Sequence, residues 1–73
     1  MAHEDVAEMS YEQARGQLEA VVTRLEAGDL PLEELMTLWE RGEVLARACE
    51  DKLAGAAARL DAVRRERGPA DAG

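Results

Sequence analysis

Residues 25–42 read Leu25-Glu26-Ala27-Gly28-Asp29-Leu30-Pro31-Leu32-Glu33-Glu34-Leu35-Met36-Thr37-Leu38-Trp39-Glu40-Arg41-Gly42, and this stretch decides the fold. Gly28 supplies the left-handed residue that ends a helix. Pro31 fits the first position of the next helix, where a missing N–H leaves nothing unpaired. It also pushes Leu30 out of the helical region. Glu33 and Glu34 then fall in a first turn, where the helix dipole favours carboxylates. The connection is about three residues, 28–30, and so short a link between helices dictates an antiparallel pair.

Working back from the turn, Ser10-Tyr11-Glu12-Gln13 reads as a capping box. Apolar residues follow at Tyr11, Ala14, Leu18, Val21 and Leu25, in steps of 3, 4, 3 and 4. Working forward, Leu32, Leu35, Trp39, Gly42, Ala46, Cys49, Leu53, Ala56, Leu60 and Val63 alternate steps of 3 and 4 without a break. Both are heptad seams. Gly68-Pro69 is the expected stop. The predicted architecture is all-α: an antiparallel, coiled-coil-like two-helix hairpin over 10–66 that oligomerises. Its first helix is short (10–27), its turn covers 28–30 and its second helix is long (31–66). Residues 1–9 form a flexible acidic lead and 67–73 a disordered tail.

At about 1.5 Å per residue, the first helix spans roughly 26 Å and the second roughly 54 Å. The expected hairpin seam is Tyr11, Leu18, Val21, Leu25, Leu32, Leu35, Trp39, Gly42 and Cys49. Leu53, Ala56, Leu60 and Val63 then have no partner within the chain. Leu38 and Leu45, with Met36 and Val22, widen the apolar stripe beyond what one pair of helices needs. The expected partner interface is therefore Leu38, Leu45, Leu53, Ala56, Leu60 and Val63. Gly42 sits on the seam one turn from Trp39. A glycine inside a helix costs about 1 kcal/mol against alanine, so a packing reason is expected there.

Composition excludes several classes. The chain has 73 residues, a formal charge of −7, one Tyr, one Trp and no Phe. So few aromatics speak against a β-sandwich or barrel. No run approaches the roughly 18 apolar residues of a membrane span, and no secretory leader is visible, so a cytoplasmic location is expected. Residues 1–37 hold nine acids and two bases, a net of 2 − 9 = −7, and such a surface repels phosphates. The basic cluster Arg59, Arg64, Arg65 and Arg67 complements the negative end of a helix, the weaker alternative being a phosphate contact.

Chemistry-bearing residues do not converge. His3 is the one histidine, and Cys49 has neither a disulfide partner nor a nearby base; a small buried thiol fits the seam. Ser10 is a cap. Glu33/Glu34 and Glu50/Asp51 are sequence neighbours that point in different directions on a helix. No catalytic residue, metal ligand or cofactor site is expected.

The residues around the turn carry a resemblance. Tyr11-Glu12, Leu18-Glu19, Val21-Val22, the turn Leu25 to Glu34, then Trp39-Glu40-Arg41-Gly42 and Leu45, Cys49 and Leu53, resemble the small subunit of bacterial exodeoxyribonuclease VII over roughly 10–63. Leu35, Trp39 and the run 55–58 depart from that pattern in packing residues. The resemblance implies a non-catalytic subunit that packs as a helical hairpin on a large catalytic subunit. The enzyme so formed degrades single-stranded DNA from both ends to oligonucleotides, and this chain meets the DNA only through the complex. It implies no cofactor and no membrane contact. Self-association is expected from the surplus apolar surface. The alternative reading is an unrelated self-associating helical hairpin, an adaptor or an antitoxin-like module.

Overall fold

The computed structural model describes residues 3–67. It is helical, in three elements: α1 (Glu4–Ala7), α2 (Tyr11–Ala27) and α3 (Leu32–Arg67). The caps explain the boundaries. Ser10 has extended backbone (φ −71°, ψ 167°) and precedes the helix as its cap. The Gln13 N–H donates to Ser10 Oγ at 3.1 Å, and the Ser10 N–H donates to Gln13 Oε1 at 2.9 Å. Two amides that the helix cannot pair internally are satisfied reciprocally. At the other end Gly28 has φ 64° and its N–H reaches the Leu25 carbonyl. A side chain there would be strained in the left-handed region.

Pro31 stands one place earlier than expected. Its carbonyl accepts from the Leu35 N–H at 3.0 Å, and α3 begins at Leu32. The proline is thus the capping residue of α3 rather than its first helical residue. At the far end α3 includes Arg67, expected in the tail; the expected disorder over 68–73 lies outside the described residues.

The flexible lead needs correction. Residues 4–7 form a helical turn, and Val6 is 2% exposed. Two interactions hold it. Val6 joins the buried cluster with Ala14, Val21, Leu45 and Cys49. Arg41, on α3, donates to both carboxylate oxygens of Asp5 (3.1 and 2.8 Å), to Gln17 Oε1 (3.2 Å) and to His3 Nδ1 (3.2 Å). One guanidinium ties α1, α2 and α3 together, using the fork geometry that suits a carboxylate. The Arg41 hydrogen bonds hold the Asp5 carboxyl below its ordinary pKa and raise that of Arg41.

Helix α3 therefore receives two packers, α2 along one side and α1 on another. Its buried face is displaced accordingly. Leu45, expected to face a partner, is 0% exposed inside the chain. Leu38, also expected to face outward, is half-buried with Val44 and Ala48 against the core. Trp39 and Leu32, expected on the seam, are 61% and 71% exposed. Leucine buries without leaving a polar atom unpaired, whereas an indole N–H needs a partner. Tyr11, Leu18, Val21, Leu25 and Cys49 belong to the core or pack on it, and Leu35 is half-buried. A Cβ at Gly42 would meet Val21 Cγ1 at 3.3 Å and Leu18 Cδ1 at 4.0 Å, so the missing side chain lets α2 approach.

The molecule is elongated, 57 × 26 × 15 Å, with a radius of gyration of 17.3 Å. A compact domain of this length would have about 11 Å. The excess comes from α3, whose 36 residues outrun the 17 of α2.

Candidate interaction surface

Beyond Cys49 the long helix loses its cover. From Leu53 to Arg67 every residue is exposed. Leu53, Leu60 and Val63 are the large apolar side chains of this segment, all more than half exposed. Ala56 lies among them in the same heptad pattern, with Arg59, Leu60 and Val63 around a shallow groove. Of the six residues expected at a partner interface, the structure leaves these four available and takes Leu38 and Leu45 into the core.

A second apolar patch lies at the turn end. Leu32, Met36 and Trp39 of α3 and Val22 of α2 are exposed there. Two of them, Leu32 and Trp39, are expected seam residues; it is the displacement of the buried face toward Leu45 that turns them outward. Glu33 and Glu40 line the same patch beside Met36 and Trp39. Scattered single apolar residues on a surface need no explanation, but contiguous ones mark interaction sites.

The chain's polar chemistry is structural. Cys49 is buried. His3 accepts from Arg41 and lines an open hollow of about 360 Å³ between α1 and α3, walled by Val6, Val44 and Ala48. Among the described residues no group of three His, Cys, Asp or Glu side chains is placed to hold a metal ion, and no helix is long and apolar enough to cross a membrane. No local sequence pattern points to the Arg41 clasp. The available signal, for α1 rather than the clasp, was Val6 and Met9, spaced by one helical turn in an otherwise acidic lead.

The profile of the exonuclease VII small subunit family matches residues 11–62. The chain belongs to that family. It is 57% identical over 65 residues to the exodeoxyribonuclease 7 small subunit of Arthrobacter sp. (strain FB24), covering 89% of this chain and 86% of that protein. It is 58% identical over 60 residues to the protein of the same name from Leifsonia xyli subsp. xyli, covering 82% of this chain and 65% of the relative. The Acidothermus cellulolyticus small subunit is 60% identical over 58 residues, covering 80% and 60%. No solved structure matches the chain. Membership in this family removes the alternative of an unrelated adaptor or antitoxin-like hairpin. Exonuclease VII small subunits are non-catalytic parts of a nuclease that hydrolyses DNA, and the matched span takes in α2, the turn and α3 to Ala62, but not α1.

Proposed function

We propose that this chain is an antiparallel helical hairpin that oligomerises and packs on the large subunit of exodeoxyribonuclease VII. The complex degrades single-stranded DNA from both ends to oligonucleotides, and the chain meets DNA only through that complex, in the cytoplasm. The observation that carries the reading is the bare half of α3: a helix roughly 20 Å longer than its own chain can cover, with Leu53, Ala56, Leu60 and Val63 exposed in register. An isolated helix gains little stability without an apolar face to bury, so this segment calls for a helical partner.

The acidic turn end repels phosphate, and no activated nucleophile stands among the described residues. Catalysis and DNA binding therefore fall to the large subunit, and the small one contributes packing. Co-expression with the large subunit, followed by co-purification and a single-strand nuclease assay, tests the reading. The wild-type chain is expected to co-purify with the activity and to have none alone. The Leu53→Asp/Leu60→Asp variant is expected to keep its fold and lose the large subunit. Nuclease activity persisting in the purified small chain, or normal assembly of the double variant, would overturn it.

A further inference from the structure

The two exposed apolar patches differ in charge. Residues 19–40, around the turn patch, carry Arg24 against six acids, a net of 1 − 6 = −5. Residues 52–67, around the bare helix, carry five bases against Asp61 and Glu66, a net of 5 − 2 = +3. Each patch therefore repels its own kind and attracts the other. Spacing matches as well. Leu32 and Trp39 are seven residues apart, as are Ala56 and Val63. Laid antiparallel, α3 of one copy brings Leu32 level with Val63 and Trp39 level with Ala56 of another, so that the largest side chain meets one of the smallest.

We infer that the turn patch is the docking site for the basic end of α3 of a second copy, the two chains pairing antiparallel about a two-fold axis. A two-fold pairing of this kind is self-complementary and closed, so each copy covers both patches of the other. This inference rests on the reading of the bare half as an assembly surface and specifies its first occupant. The large subunit then receives the pair. Overhang-to-overhang pairing is disfavoured by the like charges of Arg59, Arg64 and Arg67, and turn-to-turn pairing by Glu33 and Glu40.

Trp39 is the chain's one tryptophan and reports on this contact directly. Leu60 lies 21 residues farther along the same helix, about 32 Å away, so a change at Leu60 reaches Trp39 only through another copy. The test is Trp39 emission across a dilution series of the whole chain, with its oligomeric state followed by light scattering, and no large subunit present. The wild type is expected to show dimer and blue-shifted emission when concentrated, and monomer and red-shifted emission when dilute. Leu60→Asp is expected to stay monomeric and red-shifted throughout, with unchanged helix content. Added salt is expected to move the wild-type transition to higher concentration, because it screens opposite charges. A dimer whose Trp39 emission ignores dilution, a dimer tightened by salt, or a strict monomer at every concentration would overturn the inference. Co-purification of the wild-type chain with the large subunit is the separate readout: a wild-type chain that stays monomeric yet co-purifies overturns the pairing alone, whereas one that fails to co-purify overturns the subunit reading.

Discussion

The two halves of α3 have similar periodicity and opposite fates. From Leu35 to Cys49 the helix is covered by α1 and α2, and Leu45 is sealed. From Leu53 to Arg67 it is bare. The heptad alternation of 3 and 4 continues through both, so periodicity alone does not tell a core from an interface. Length does, because α2 has too few residues to follow α3 beyond Cys49. The bare half also carries the Ala56 to Ala58 run, where helix propensity and small side chains replace packing.

Leu45→Ala is expected to cost about 2–5 kcal/mol, the usual range for a buried leucine, a large share of what a domain this small possesses. Leu60→Ala, on the bare half, is expected to leave monomer stability nearly unchanged. Urea denaturation of both variants at low concentration checks the contrast; equal losses would mean that the two halves do not differ.

Next comes the clasp. Val6→Ala removes two buried methyl-sized groups and is expected to cost about 1.5 kcal/mol at about 0.8 kcal/mol per group, read from the same denaturation curves. A truly flexible lead would tolerate it at no cost. Loss of the Ser10 cap, by Ser10→Ala, is expected to cost about 1 kcal/mol, which helix content and thermal melting report.

The glycines sharpen the contrast further. A Cβ at Gly55 meets nothing within 4 Å, whereas one at Gly42 presses on Val21 at 3.3 Å. Gly55→Ala is expected to raise the helix content of the bare half, with a gain of up to about 1 kcal/mol. Gly42→Ala is expected to gain less, because the α2 contact must yield; circular dichroism and melting of both separate the cases.

The smallest effect concerns pH. Arg41 lowers the Asp5 pKa in the folded chain, so the clasp contributes stability that is full above the ordinary aspartate value and is lost as pH falls from there through the lowered folded value. Asp5→Asn is expected to remove this dependence. Amide exchange at Val6, whose N–H bonds the His3 carbonyl, follows it.

The turn, the caps and the surplus of α3 over α2 were legible in the sequence, because Ser10, Gln13, Gly28 and Pro31 act through local backbone geometry. The rotation of α3 was not. Trp39 and Leu45 lie on neighbouring stripes of one helix, and the choice between them depends on where α1 packs. That contact joins residues about 40 apart, Val6 and Asp5 with Leu45 and Arg41, and no local pattern encodes it. Hence the exposure of Leu53, Ala56, Leu60 and Val63 follows from helix length alone, while Leu38 and Leu45 turn toward the core and Leu32 and Trp39 toward solvent, the reverse of the expectation.

The most direct test of the central claim, that the core of the chain ends near Cys49 and its bare half exists for assembly, is amide hydrogen exchange along α3 in the dilute chain and in the complex with the large subunit. Slow exchange is expected around Leu45 in both, and fast exchange from Leu53 to Arg67 in the dilute chain that becomes slow in the complex. Unchanged fast exchange over residues 53–67 in the complex would contradict it.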